Sequence, residues 1–212
     1  VFGKLFGKKG KQEALRIVSS LDDVRAGDLL EFKDRPDLPA QIRGETLKIS
    51  SVAYYQYESE GAVELALEIP SGESVTLAYS AVDQGEIALS VKLPENRVLQ
   101  VFDEQEFSDL WAEDFASIAA QPQGAGTLAA WACDSYQQTV KEASAYYFNE
   151  DRRGQALSMQ EEDGSEELRY HEAMGGSDGY SLNIEVWGSG ETDVFLCRAF
   201  AVSIITEYWP GE

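Results

Sequence analysis

Apolar and polar positions alternate through much of this chain. Val63, Leu65, Leu67 and Ile69 keep a two-residue period, with Glu64 and Glu68 on the opposite side. That pattern predicts a strand with one packed face and one wet face. Similar runs cover 46–57, 63–69, 74–80, 87–93 and 98–102. The breaks between them hold Gly61, Pro70-Ser71-Gly72, Gln84-Gly85 and Pro94-Glu95-Asn96. Short strands at this spacing, with turns of this composition, predict an antiparallel meander. A turn at Val24–Asp28 and a short strand over 29–33 precede it, and Pro36 and Pro39 mark a loop. Further strand patterns occupy 140–148, 156–160, 167–171, 182–187 and 193–200, and Gly188-Ser189-Gly190-Glu191 reads as the hairpin joining the last two.

Beyond the first dozen residues, helical periodicity is confined to three places. Residues 13–21 read as a short amphipathic helix with Leu15 and Val18 inward and Ile17 a further candidate for that face. Residues 103–120 read as the best helix of the chain, with Asp103 as cap and Glu106 at capping-box spacing. Its apolar face carries Phe107, Leu110, Trp111, Phe115 and Ile118. Residues 202–209 read as a short helix or a strand-to-helix corner bearing Trp209, and the pattern leaves 128–136 open. The fold class expected is β-rich α+β: two tandem antiparallel meander halves, each closed by a Trp-bearing helix. The segments are a basic lead (1–16), a first half (17–120), a linker (121–126) and a second half (127–212) that can pack with the first as one domain.

The halves repeat one another. Ala53-Tyr54-Tyr55-x-x-Glu58 recurs as Ala145-Tyr146-Tyr147-x-x-Glu150. Gly72, Leu77-x-Tyr79 and Gly85 then correspond in order to Gly164, Leu168-x-Tyr170 and Gly179, and Phe102 with Trp111 to Phe200 with Trp209. The ordered series reads as an internal duplication, with drift absorbed at turns. A duplicated fold has a seam, and Tyr54, Tyr55, Glu58, Tyr146, Tyr147 and Glu150 are the candidate ligand-binding residues there.

Charge changes the picture of partners. The chain has 212 residues and a formal net charge of −21. Its lead is of opposite sign: Lys4, Lys8, Lys9, Lys11 and Arg16 stand against Glu13. An acidic body disfavours nucleic acid, whose binding comes from neutralising phosphates. Phe2, Leu5 and Phe6 share one side of a helical turn, flanked by Lys4, Lys8 and Lys9. Such a segment suits weak contact with an anionic lipid surface, although Gly3, Gly7 and Gly10 weaken its helix. With no long apolar stretch or signal peptide in this sequence, a cytoplasmic location is expected, peripheral to a membrane.

Catalytic chemistry finds little support. His171 is the single histidine, and Cys133 and Cys197 lie in apolar stretches as core residues rather than a metal or disulfide framework. No phosphate loop is present, and the acidic run at Glu161–Glu167 lacks calcium-loop spacing. Glu58 and Glu150 are the least arbitrary carboxylate pair, since the repeat makes them equivalent. No catalytic residue, metal or cofactor is assigned.

Four stretches carry a resemblance: Phe2-Gly3-x-Leu5-Phe6-Gly7-Lys8-Lys9, Val24-Arg25-Ala26-Gly27-Asp28, Tyr146-Tyr147-Phe148-x-Glu150-Asp151-Arg152 and Glu207-Tyr208-Trp209-Pro210. In these the chain resembles the YjfK-like family of bacterial proteins, a domain of unknown function. The resemblance implies a setting beside phage-shock-like, membrane-remodelling coiled-coil proteins. The function expected first is therefore a non-enzymatic accessory protein that meets a basic or coiled-coil partner at the inner-membrane surface. The alternatives are a small-ligand module using the aromatic seam, and a hydrolase using Glu58 and Glu150.

Overall fold

Backbone pairing joins the strand patterns into one antiparallel sheet. The computed structural model describes residues 16–58, 60–82, 85–155 and 164–211. Among them lie β1 (Leu29–Phe32), β2 (Thr46–Gln56), β3 (Gly61–Leu67), β4 (Val75–Ser80) and β5 (Glu86–Lys92). Two short helices follow, α1 (Glu95–Val101) and α2 (Glu104–Asp109), and then β6 (Ser117–Ala119). The second half supplies β7 (Ser135–Phe148), β8 (Ser165–Gly175), β9 (Tyr180–Trp187), β10 (Thr192–Ala201) and β11 (Ile205–Trp209). The order is β11-β1-β2-β3-β4-β5-β10-β9-β8-β7-β6, with a further pairing of β2 to β7.

That further pairing closes the sheet. β2–β5 form one four-stranded meander and β7–β10 another. They join through β5–β10 on one side and through Tyr54↔Phe148, Tyr55↔Tyr147 and Gln56↔Tyr146 on the other. Eight strands thus make an antiparallel barrel without free edges. β7 serves β6 with its first residues and β2 with its last; between them lie two register shifts against β8, at Gln138/Val140 and Val140/Ala143, with Glu142 at φ 46°. At the closing seam the Tyr54 phenol lies over Gly61, where a Cβ would sit 1.8 Å from its oxygen, so only glycine fits.

Closure gives the two sheet faces unlike surroundings. Val63, Leu65, Leu77, Leu89, Leu196 and Ile184 share one face by register. They are fully buried in one large cluster with Val18, Leu21, Ile42, Val101, Leu110 and Trp131, residues of the segments before and between the meanders. The apolar face is therefore the outside of the barrel, wrapped by the chain's own arms. Glu64 lies on the other face, which points inward. The wet face expected for this strand is an enclosed one, because closure turned it into a lumen.

Polar latches fix the arms. Asp28, 1 % exposed, ion-pairs with Arg16 and accepts from the Arg25 amide (2.9 Å) and the Gly211 amide (2.8 Å). Burial opposes its ionisation, but these partners hold its carboxyl below the usual range. Arg153 donates to the carbonyls of Leu21 (2.9 Å), Asp22 (3.0 Å) and Val24 (2.6 Å) and to the Tyr79 hydroxyl (3.2 Å). Thus the Val24–Asp28 turn and the arginine stretch after the second tyrosine pair meet in space.

Several expectations need correction. The helix over 103–120 stops at Asp109. Asp103 does cap it, accepting from the Gln105 and Glu106 amides. Glu106, however, accepts from the Ala119 amide (2.7 Å) instead of completing a capping box. β7 side chains end the helix: Gln138 donates to the Leu110 carbonyl (3.0 Å) and Lys141 to those of Ala112 and Asp114, replacing helical amides. Trp111 consequently sits in a turn. Trp209 ends strand β11, so neither half closes on a Trp-bearing helix. The run 98–102 falls largely within α1, which Pro94 initiates. The linker 121–126 opens a tight helical run, Pro122–Trp131, kinked where Gly126 has φ 63°. Residues 16–20 carry no helix, and Ile17 faces solvent. The strand expected over 156–160 lies outside the described residues.

Arg153→Met keeps the aliphatic stem but leaves the Asp22 and Val24 carbonyls without this donor, while the Leu21 carbonyl keeps the Tyr79 hydroxyl. Stability should fall by about 2–4 kcal/mol in chemical denaturation. A loss below about 1 kcal/mol would show that apolar packing alone holds the arm.

Candidate functional site

The lumen is built from every second residue of the barrel strands. Tyr55, Ala62, Glu64, Ala78, Ala88, Ser90 and Cys197 lie on this face by register, as do Asn183, Glu185, Tyr170, Glu172 and Tyr147. Contacts across non-neighbouring strands show that it is the inside. The Tyr55 hydroxyl donates to Glu185 Oε2 at 3.3 Å, from β2 to β9. Tyr57, just past β2, meets Tyr170 of β8 with ring centroids 5.1 Å apart, and Tyr147 of β7 meets Trp187 of β9 at 5.5 Å.

The lumen wall has two characters. Tyr170, Tyr57, Tyr55, Tyr147 and Trp187 form a chain of touching rings; its inner links are 5.9 Å (Tyr57–Tyr55) and 5.0 Å (Tyr55–Tyr147). β3–β5 instead present Ala62, Ala66, Ala78, Ala88, Thr76 and Ser90. Small side chains facing large rings leave space. A cavity of about 480 Å³ opens there, lined by Tyr57, Ala62, Ala78, Ala88 and Asn183, with Glu60 and Glu86 also lining it. That volume lies in the range of small-molecule sites. At the other end Lys92 ion-pairs with Asp193 (2.6 Å), which also accepts from the Trp187 indole (3.3 Å).

The polar groups inside are mostly acceptors. No salt bridge among the described residues engages Glu64, Glu172 or Glu185. Burial pushes the Glu64 carboxyl up to about 7, with the nearby Thr76 hydroxyl opposing it. Burial, then the Glu64 charge, push Glu185 up to about 8, against the Tyr55 hydrogen bond. Burial also raises Glu172. Thr76 Oγ1 is close enough to favour the ionised form of Glu64, yet it makes no hydrogen bond of ordinary geometry, and neither does Asn183 Oδ1. Buried polar atoms left in this way are uncommon in folded proteins and call for a partner.

The seam residues separate by face. Tyr55 and Tyr147 come together in the lumen. Tyr54 and Tyr146 point to the outer face, where Tyr54 is part of the core and Tyr146 packs against it. Antiparallel pairing brings equivalent residues together only at Tyr55↔Tyr147 and carries the others apart. Glu58 and Glu150 therefore diverge by six register positions, roughly 20 Å at strand rise. Both are exposed, and Glu150 pairs with Arg152. That spacing removes the basis for the Glu58–Glu150 hydrolase. Phe2, Lys4, Leu5, Phe6, Lys8 and Lys9 lie outside the described residues. His171 is buried on the outer face, against Trp111 (5.3 Å) and Gln138 (3.2 Å). Both cysteines are free and buried, and burial pushes the Cys197 thiol up to about 12. Glu64, Glu185 and Asn183 are the lumen residues that sequence reasoning missed. The Glu64 alternation was visible, but nothing in it says which face is enclosed.

A larger cleft of about 670 Å³ lies between α1 and the β9–β10 hairpin, lined by Val98, Leu99, Phe107 and the Lys92–Asp193 pair. Its one lysine is already held by Asp193, and none of the unpartnered buried oxygens lines it. No protein-family model matches the chain, and no curated protein or solved structure matches it either.

The raised carboxyls predict an unusual pH dependence. Folded Glu64 and Glu185 hold protons that the unfolded chain has released, so their contribution weakens as pH rises from about 4.5 through 8. Denaturation between pH 5 and 9 should show parent stability falling, relative to Glu64→Gln/Glu185→Gln, by a few kcal/mol at about 1.4 kcal/mol per pH unit per group. Parallel curves for parent and variant would refute the burial of these carboxyls.

Proposed function

We propose that this chain is a non-enzymatic binding protein that takes a small molecule into the barrel lumen. The observation that carries the reading is a cavity of about 480 Å³ at the lumen mouth, lined by Asn183, whose buried amide oxygen has no partner. Carboxyls poised near neutrality would also suit acid–base chemistry. Against turnover stands the wall itself: its backbone amides are used in the barrel ladder, leaving no paired donors to stabilise a developing negative charge.

The repeat belongs to the same reading. Both meanders have four strands in the same order, and they meet at Tyr55↔Tyr147, the residues the repeat makes equivalent. This supports duplication of a four-stranded unit. The later landmarks do not support it, since Leu77 and Tyr79 stand on the outer face of β4 while Leu168 and Tyr170 stand on the inner face of β8.

The acidic body and basic lead support a second proposal, contact with an anionic membrane or with a basic, coiled-coil partner there, as the YjfK-like resemblance implies. Flotation on anionic vesicles, comparing the whole chain with residues 17–212, tests the membrane contact; equal flotation removes it.

For the lumen, Ala78→Phe and Ala88→Phe are the informative changes. In open space a ring is accommodated, so the melting temperature should change by no more than a few degrees. A collapsed lumen would instead be overpacked, at a cost of about 1–3 kcal/mol. A small molecule that raises the melting temperature of the parent should fail to do so in either variant.

A further inference from the structure

We infer that the lumen binds an organic cation, an alkyl- or quaternary ammonium group seated between the aromatic wall and the carboxyl groups of Glu64 and Glu185. The inference rests on the lumen reading above and names its ligand class. Three independent features point the same way.

The first is the imbalance of donors and acceptors. Glu64, Glu172 and Glu185 bring carboxylates, and Asn183 Oδ1 and Thr76 Oγ1 bring oxygens without hydrogen bonds of ordinary geometry. Among the described residues Lys92 and Lys48 reach this face, both at one end of the barrel, where Asp193 (2.6 Å) and Glu68 (2.8 Å) already hold them. An anion entering the lumen would lose hydration, find no unpaired cation on this face and oppose any ionisation of these acids, which is costly. A neutral apolar ligand would leave the acceptors unmatched.

The second is the aromatic wall. A cation over a ring face is attracted by the ring quadrupole, most strongly when water is excluded. Tyr57, Tyr55, Tyr147 and Trp187 supply four consecutive rings in contact, and Tyr57 lines the cavity.

The third is the spacing of the acids. No group of three or more His, Cys, Asp or Glu among the described residues is close enough to hold a metal ion. Two carboxyls with no third ligand grouped beside them, and rings along the wall, suit a bulky diffuse charge rather than a divalent ion that needs several oxygen ligands.

Protons are the counter-current to binding. Around Glu64 and Glu185 the titratable groups are Glu172, Asp193 with its Lys92, the Cys197 thiol, and the phenols of Tyr55, Tyr57, Tyr147 and Tyr170. In the empty lumen near neutral pH Glu185 is mostly protonated and Glu64 partly so, and an arriving ammonium stabilises their ionised forms. Binding therefore releases protons and tightens as pH rises.

Calorimetric titration of the full chain with choline, and with its uncharged carbon isostere 3,3-dimethylbutanol, tests this. Choline should bind at least tenfold more tightly than the alcohol, more tightly at pH 8.5 than at pH 6.5, and the advantage should vanish in Glu64→Gln/Glu185→Gln. Retained binding of the alcohol by that variant shows that its lumen is intact. If alcohol and choline bind the parent equally and both are lost in Ala78→Phe, the cation inference falls and the lumen reading stands. If choline binding survives Ala78→Phe, the site lies elsewhere and the inference falls. If millimolar choline gives no saturable heat, the inference also falls, and the lumen reading is judged on the stability of Ala78→Phe alone.

Discussion

Everything distinctive about this molecule follows from the short pairing of β2 with β7. Three register pairs around Tyr55↔Tyr147 convert an open sheet into a ring. An open sheet of this width would have two edges and two surfaces of equivalent kind. Once closed, one surface becomes an exterior to be covered and the other a volume to be filled. β7 pairs with β6 over Ser135–Gln137 and with β2 over Tyr146–Phe148, and its register shifts against β8 fall between those two stretches.

The barrel is inverted relative to a simple expectation for a β protein in water. Its aliphatic residues face outward and its acids face inward. The inversion is stable because the arms before β2 and between β5 and β7 supply a second apolar layer, so burial is achieved outside the ring. Asp28 and Arg153 tie the arms down with charge-assisted hydrogen bonds at points where backbone carbonyls and amides would otherwise be unmatched. Released from covering the hydrophobic core, the inner face can carry alanines, tyrosines and carboxyls. Those residue types suit a ligand far better than they suit a core.

Enclosure also sets the electrostatics. Glu64 on an open strand would be an ordinary solvated acid. Inside the ring it loses water and faces Glu185 from the opposite wall, and both titrate near neutrality. The same loss of water strengthens any cation–ring or cation–carboxylate contact formed there. Tyr55 links the two themes, since its ring is part of the aromatic wall and its hydroxyl reaches Glu185.

The residue pattern alone placed most of the barrel strands, but it missed β6 and β11 and read 98–102 as a strand. Two-residue alternation located β2–β5 and β8–β10 closely, because side chains on a pleated strand must alternate whatever the strand packs against. It also marked Tyr55 and Tyr147 as equivalent. Helix boundaries were less legible: the carbonyls after Asp109 are taken by Gln138 and Lys141, residues distant in sequence, and no local signal records that competition. The pattern could not say which face of Glu64 was in and which out, since alternation distinguishes two faces without assigning either. Nor could it show that Glu58 and Glu150 part company while Tyr55 and Tyr147 meet. Those choices were made by closure, a long-range pairing whose direction and register exist only once the whole ring has formed.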